Sequence, residues 1–486
     1  MRMPSAMRCV AGLLTAVLAG PTAIAAQTRL TLTDALARAA GQSEAIEIAR
    51  AGELRAAADA ERATSQKLPQ VDFRGSYSRT LASEFSGAFD AAGPPCPPLT
   101  VDASQPVDDR VAELERAATC GALGASVDFA ELPFGQRNIY NLGLTLSQAL
   151  YAGGRISGQQ RQAEALGRVA ALTTSATATQ LQLEVAQAFY DAALADRLLV
   201  IAQSTSDQAS AALEQTRLAY EAGRQPEFEL LRAQVSRDNQ RPAVIRRRAD
   251  RDVAYLRLRR LLEMPASEPL VLDADLEDPS LPPPAPFAEA LARATEVNEA
   301  GRLAIEQSEA IVAARAAGLH VARAARLPSL SLVSSLAGVG YPRDGAFPVA
   351  SDFRTNWSAG LSMQMPVFNG ARLRADERAA QADLAVAEAE LQQTRELAVL
   401  EYETARQDLA SAEAAWEATA GTVQQAERAY QIAELRNREG LSTQLELADS
   451  RLSLEIAQAN RAQAARDLQV ARARVALLPN LPMVTR

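Results

Sequence analysis

Two stretches of the chain alternate between apolar residues and small or polar ones, and each stretch runs into a glycine. Asn138–Arg155 and Thr355–Arg372 align without a gap at an offset of 217 residues. A hydrophobic period of two predicts a β-strand. The apolar positions are Tyr140, Leu142, Leu144, Leu146 and Leu150 in the first copy, where Gln148 is the exception, and Trp357, Ala359, Leu361, Met363, Met365 and Val367 in the second.

These strands have two interpretations. One apolar face and one face of small or polar residues suit a membrane β-barrel with lipid outside and water inside. The same alternation is typical of a half-buried strand in a soluble sheet. The alternation by itself leaves both interpretations open.

A very long helical pattern follows each strand. It runs from Gly153 to about Tyr220 and from Gly370 to about Arg438, with no proline in either stretch. Each helix would be roughly 100 Å long. Glycine turns follow at Gly223 and Gly440, again 217 residues apart. After each turn we expect a return helix, whose steps of three and four residues predict an antiparallel coiled coil with a small-residue seam.

A shorter helix precedes the strands in each half, over Leu30–Lys67 and Phe287–Arg326. We expect Thr33 or Asp34 to cap the first of them. A proline two residues after each helix predicts its end. Further alternating segments follow these prolines, so that each half has two strands, at about 70–81, 137–150, 329–339 and 354–367.

The first half carries 42 extra residues between its two strands. We interpret residues of about 82–136 as an extended hairpin loop, which is usual on the outer side of outer-membrane barrels. The loop contains Cys96 and Cys120, and in an oxidising compartment a disulfide between them is the default expectation.

The N-terminus has the features of a secretory signal. Arg2 and Arg8 precede a short apolar core, Val10–Leu18, and small residues suited to cleavage follow it. This apolar run is too short to span a bilayer as a helix. Cys9 lies before the apolar core rather than after it, so we do not expect lipidation. The predicted division is a signal peptide at 1–26, a first repeat at 27–264, a Pro-rich linker at 265–286 and a second repeat at 287–480.

The linker contains four acids that could suggest a calcium site. The glycine and the spacing of a calcium-binding loop are missing, so a solvated linker is the preferred interpretation. The acids are Asp273, Asp275, Glu277 and Asp278.

Composition narrows the function classes. Aromatic residues make up only 5% of the chain and alanine is abundant, which favours long, closely packed helices. The net charge is −9 and no basic run occurs, which argues against nucleic-acid binding. His320 is the single histidine, so a histidine-based catalytic or metal site is hard to assemble. We expect neither enzymatic activity nor a cofactor.

Four strands are too few for a membrane barrel in one chain. Single-chain outer-membrane barrels need at least about eight strands. Open strand edges in lipid would leave backbone amides unpaired. Either the strands lie outside a membrane, or several chains close one barrel around a central pore.

The order of these features resembles the TolC-like outer-membrane efflux channels over essentially the whole mature chain. The resemblance lies in the internal repeat, the strand entries at Leu68-Pro69 and Leu327-Pro328, the tip turns, and the strand–helix joints at Gly153, Gly154 and Gly370. It implies a membrane β-barrel plus an all-α coiled-coil barrel, built from four strands and long antiparallel helices per chain in a homotrimer.

The resemblance also implies a function. Such channels lie in the outer membrane with their helical part in the periplasm, and they export small molecules or proteins together with a periplasmic adaptor protein and an inner-membrane transporter. The alternative is a secreted periplasmic coiled-coil scaffold without a pore. A scaffold explains the heptads but not the four alternating strands.

Two sets of candidate functional residues lie near the helical tips. We expect the turns to dock the adaptor through Gly223, Arg224, Gly440, Leu441 and Ser442. Their alternative role is a helix reversal without a partner.

The second set is acidic. Glu229 and Glu446 lie six residues after the two tip glycines, and Asp449 follows one helical turn later. In channels resembling this one, acids at this level face the lumen, so we predict a cation-attracting ring at the periplasmic entrance. The alternative is helix capping, because Thr443 and Glu446 fit a capping box.

Overall fold

The computed structural model describes residues 29–82, 97–120, 138–294, 302–342 and 347–483. These residues fall into two compact units. The first comprises the described residues within Met1–Arg50, Leu172–Glu306 and Thr394–Arg486, and the second those within Ala51–Ala171 and Gln307–Gln393.

The α-helices in chain order are α1 Leu32–Gln42, α2 Glu44–Ser65, α3 Val107–Cys120, α4 Arg155–Glu221, α5 Glu227–Leu261, α6 Ala288–Ala294, α7 Leu303–Ala324, α8 Arg372–Arg438 and α9 Gln444–Leu477. The strands are β1 Arg29–Leu30, β2 Gln70–Arg79, β3 Asn138–Tyr151, β4 Val271–Leu272, β5 Ser329–Gly340 and β6 Phe353–Gln364. Both long helices, α4 and α8, have 67 residues. Among the described residues, no helix has an apolar stretch long enough to cross a membrane.

The second unit contains a four-stranded antiparallel sheet in the order β2-β3-β5-β6. Its register places Phe73, Leu144, Leu336 and Trp357 in one row across all four strands. These side chains are 68%, 44%, 39% and 76% exposed, respectively. Because cross-strand partners share a face, the sheet has one continuous apolar face that is open in the single chain.

The opposite face of the sheet is small and polar. Asp72, Thr145, Ser335 and Ser358 form one of its rows. The two faces thus differ in chemistry along all four strands, as the period-two pattern predicts.

The end of the last strand differs from its prediction. β6 ends at Gln364, so the expected continuation through Met365 to Val367 is wrong. Pro366 has no N–H to donate to a strand ladder, which stops regular pairing at this point. Met365 and Val367 are exposed and lie outside the strand.

The core of the first unit forms around the long helices and their return helices. Phe189, Leu258 and Leu468 are fully buried there. Small residues allow close helix packing, and Ala192, Ala465 and Ala473 have no exposed surface.

The Pro-rich linker is more ordered than the sequence indicates. Its Leu270, Leu276 and Leu281 are buried in this core. β4 within the linker pairs in parallel with β1 near the start of the described chain. The linker acids Asp273, Asp275 and Glu277 remain exposed, while Leu276 between the last two is buried.

Both of the shorter helices are interrupted, which corrects the prediction of single helices over 30–67 and 287–326. In the first half Ser43 separates α1 from α2, and its hydroxyl accepts from the backbone N–H of Ile46 at 3.4 Å. In the second half Arg302 is not helical and α7 begins at Leu303, while residues 295–301 lie outside the described residues.

The N-cap residue of α1 also differs from the prediction. Neither Thr33 nor Asp34 is the N-cap of α1; Thr31 is, and its hydroxyl accepts from the Asp34 N–H at 3.2 Å. The Asp34 carboxylate in turn accepts a hydrogen bond from the Thr31 N–H, which completes a capping box.

The described part of the predicted outer loop includes a helix that was not predicted from the sequence. Helix α3 lies between β2 and β3 in the chain. Pro106 before its first residue and Asp108 and Asp109 in its first turn are helix-start signals.

Candidate functional site at the helical tips

The two tips have the same backbone hydrogen bonds. In the first, the Arg224 N–H donates to Ala219 O and the Gly223 N–H to Tyr220 O, both at 2.8 Å. In the second, the Leu441 N–H donates to Arg436 O at 2.8 Å, and the Gly440 N–H to Asn437 O at 3.0 Å. Both are Schellman turns, which satisfy carbonyls left free at a helix C-terminus.

The backbone of both turns favours glycine. Gly223 has φ of 70° and Gly440 has φ of 72°, in the left-handed region that other residues rarely adopt. A Cβ added at either glycine would meet no atom within 4 Å. Conformation rather than space therefore selects glycine. The neighbouring Arg224 and Leu441 are exposed, and Ser442 is half-buried.

A buried polar network lies behind the second tip. The Gln444 amide nitrogen donates to the Thr216 hydroxyl at 2.6 Å and to Asn437 Oδ1 at 3.0 Å. The Asn437 amide nitrogen donates to Ser442 O at 3.1 Å. Because Thr216 belongs to α4 and Gln444 to α9, the network joins the helices of the two repeats.

The three candidate acids have different surroundings. Glu229 Oε2 accepts from the Gln444 backbone N–H at 3.1 Å, so this carboxylate caps α9 of the other repeat. Glu446 lies 3.7 Å from the Arg436 guanidinium and is half-exposed. Asp449 is exposed.

The N-cap residue of α9 is Thr443. Its hydroxyl accepts from the Glu446 N–H at 3.4 Å. Pro226 occupies the corresponding position before α5 and has no side chain that could cap it. The two repeats thus share the turn but differ in capping.

A buried arginine lies about two turns after the start of α9. The Arg451 guanidinium donates to the Ser236 hydroxyl at 2.6 Å. Burial lowers the pKa of Arg451, while burial and the nearby Glu434 carboxylate raise the pKa of Tyr430. This second polar contact also joins the two repeats, because Ser236 lies on α5.

Sequence reasoning missed the polar network. The sequence contains one sign of this network, because the two repeats differ at these positions. Asn437 and Gln444 correspond to Tyr220 and Glu227 in the first half. The partner Thr216 corresponds to Ala433 and carries no local signature.

The strand–helix joints also require unusual backbone. Gly153, Gly154 and Gly370 have φ of 60°, 87° and 61°. A Cβ on Gly154 would lie 2.9 Å from the His320 ring, so two constraints select glycine there. Ala371 takes the position that corresponds to Gly154 and has φ of 70°, a strained value for alanine.

The predicted cysteine pair is described only in part. Cys96 lies outside the described residues, and Cys120 is the last residue of α3, with its side chain outside the description. Within the ranges that the structure describes, no group of three His, Cys, Asp or Glu side chains could hold a metal ion.

Comparison with known families accounts for most of the chain. The family model described as "Outer membrane efflux protein" matches residues 35–263 and 298–480, the two repeats in order. The chain belongs to the outer membrane efflux protein family. This membership confirms the resemblance to TolC-like channels.

Solved structures of outer-membrane channels have the same fold. The outer-membrane channel OprN has a TM-score of 0.68 at 23% identity, over 92% of this chain and 90% of that chain. The Campylobacter jejuni CmeC channel has a TM-score of 0.70 at 16% identity, over 94% and 87%. The open-state Neisseria gonorrhoeae MtrE channel has a TM-score of 0.67 at 17% identity, over 93% and 89%. No curated protein matches the chain by sequence.

The fold class is therefore TolC-like, with a helical tunnel domain and a β-domain. The family and these relatives are channels rather than enzymes.

Proposed function

We propose that this chain forms a trimeric outer-membrane channel-tunnel that exports small molecules or proteins across the periplasm and the outer membrane. The observation that carries the proposal is the sheet of β2, β3, β5 and β6. One face is apolar and open along the row from Phe73 to Trp357, and the other is polar. In a membrane barrel, lipid would cover the apolar face of the sheet and water would solvate the polar face.

Closure of the barrel supplies the reason for the trimer. Among the described residues, β2 and β6 each pair on one side only. Backbone groups at such edges cannot remain unpaired in lipid. Pairing β6 of one copy with β2 of the next removes every edge, and three copies give the twelve strands expected of TolC-like channels.

The purified protein in detergent should have the mass of three chains by light scattering corrected for detergent. Outer membranes washed in high salt should retain it, because the apolar sheet face is held by lipid. A salt-extractable protein that stays monomeric with full helical content would contradict the proposal and favour the periplasmic scaffold.

The tips are the proposed contact with the export partners. An inner-membrane transporter and its periplasmic adaptor approach from the end of the long helices in channels of this kind. Leu441 and Arg224 are exposed on rigid Schellman turns, which present side chains in a fixed geometry. We propose that Gly223, Arg224, Gly440, Leu441 and Ser442 form the adaptor-docking surface.

The acids near the tips are the proposed entrance ring. Glu229 caps α9 through its hydrogen bond to the Gln444 N–H. Glu446 and Asp449 are exposed. Three copies would place three Glu446 carboxylates at one level and three Asp449 carboxylates about one helical turn away, and rings of charge attract cations.

Replacing Glu446 by Gln and Asp449 by Asn should weaken block of the trimer by multivalent cations in single-channel recordings. These amides have the size of the acids and lack only their charge, so the substitutions leave the pore width unchanged. Block equal to that of the parent channel would assign both acids to the solvated outer surface.

The disulfide between Cys96 and Cys120 is likewise a proposal. Pro97 O, next to Cys96 in the chain, accepts from the Arg116 guanidinium at 3.4 Å, one helical turn before Cys120. This contact supports a short distance between the two cysteines. The division at 26, 264 and 286 also stays a prediction.

A further inference from the structure

Among the described residues, side-chain contacts hold helix α3, in the connection between β2 and β3, along one flank. The Glu113 carboxylate accepts from the Thr100 N–H at 3.4 Å, and Arg116 donates to Pro97 O at 3.4 Å. Ala117 on the same flank is fully buried. Fourteen residues are too few for a stable isolated helix, so packing must stabilise α3.

An apolar seam runs along another flank of α3. Its members are spaced by four, three and four residues, the spacing of a coiled-coil seam. Three of them are large side chains with 64%, 45% and 41% of their surface exposed. The seam consists of Val107, Val111, Leu114 and Ala118.

Charges flank this seam with opposite signs. Arg110 lies along one edge, and Asp108 and Glu115 lie along the other. With Val111 at heptad position a and Leu114 at d, Arg110 takes position g and Glu115 position e. In a parallel coiled coil, a g residue faces the e residue five positions later on the neighbouring helix, which pairs Arg110 with Glu115 of another copy.

Both of these charges have unused bonding capacity. Over the described residues, neither the Arg110 guanidinium nor the Glu115 carboxylate forms an ion pair. They cannot satisfy each other within one helix, because residues five apart do not face each other on a helix surface. A second helix that brings its acidic edge against Arg110 satisfies both groups.

We propose that the α3 helices of neighbouring copies of this chain meet in a parallel coiled coil above the outer mouth of the channel, and that this bundle restricts the outer opening. The proposal rests on the proposed trimer, because rotational symmetry presents every β2–β3 connection at the same end, and helices that run along the symmetry axis are then parallel. In such a ring the basic edge of each helix meets the acidic edge of the next.

Tethering explains why so short a seam is sufficient. Two heptads would not associate as free peptides in water. Attachment to one trimer raises the effective concentration of the helices to about the millimolar range. The occupant of the seam is therefore another copy of α3 rather than a separate protein.

Crosslinking between chains tests the proposal. Val111→Cys in the seam and Asp109→Cys on the far side of the helix are matched exposed positions, and the parent chain sets the background from its own cysteines. Treatment of the purified trimer with a short bismaleimide should give several-fold more covalent dimer for Val111→Cys than for Asp109→Cys. Equal yields at the two positions would overturn the coiled coil.

A charge exchange tests the register. In the Val111→Cys chain, Arg110→Glu should lower the yield several-fold, and the added Glu115→Arg should restore it. Failure of the exchange to restore the yield would overturn the parallel pairing. Light scattering on the same samples separates the two hypotheses: trimers without crosslinks refute only the bundle, and samples that are not trimeric refute the proposed channel.

Discussion

Valine at both Gly223 and Gly440 should abolish export while leaving the assembled channel intact. Each glycine has φ near 70°, where a β-branched residue is a severe outlier. The strain is about 1–2 kcal/mol per turn for an ordinary side chain. This cost is small beside the burial in the cores of the two units, so assembly survives while the Schellman turns rearrange.

Export would be measured as accumulation of a dye that the parent channel removes from cells, and assembly as the mass of the purified protein. Asparagine at the same positions is the matched control, because it adds a side chain yet tolerates the left-handed conformation. A Cβ at either glycine meets open space, so bulk is equivalent in both variants. Unchanged export in the assembled valine variant would show that the adaptor docks elsewhere.

Much of the fold could be predicted because the sequence pattern occurs twice, once in each repeat. The constant offset of 217 residues places Gly223 against Gly440 and Gly153 against Gly370. All four glycines have positive φ in the structure. Local patterns that repeat at one offset rarely arise by chance. The strands, the long helices and the turns could therefore all be predicted from the sequence.

The contacts between repeats could not be predicted. Gln444 meets Thr216 across 228 positions of sequence, and no periodicity encodes that pairing. The break at Ser43 was also missed, because the hydrophobic pattern continues through it and only the serine cap marks the interruption. Register between distant helices depends on packing, which a single sequence does not display.

Arg302 illustrates how much stability such a distant contact supplies. It precedes α7, and its guanidinium donates to Ala398 O at 3.0 Å and to Glu401 Oε2 at 2.8 Å, both on α8. Its side chain is 4% exposed and that of Glu401 18%. A cavity of about 100 Å³ lies beside this buried ion pair.

Arg302→Met should therefore destabilise the first unit more than any exposed charge substitution. Loss of one member of a buried ion pair costs up to about 3–5 kcal/mol, because the other charge loses its compensation. Glu401 keeps a further interaction, which limits the loss. Partial exposure of Glu401 places the expected loss near the lower end of that range. Methionine keeps most of the side-chain volume, so the adjoining cavity grows little.

Chemical unfolding in detergent, followed by far-UV circular dichroism, would measure the loss. Arg38→Met is the control, since Arg38 and Glu268 lie 3.8 Å apart with side chains 36% and 41% exposed, and breaking such a pair costs at most about 1 kcal/mol. Adding Glu401→Leu to Arg302→Met should recover most of the stability, because an apolar pair avoids the desolvation of both charges. Equal losses for Arg302→Met and Arg38→Met would mean that water reaches the Arg302–Glu401 pair and screens it as it screens the exposed one.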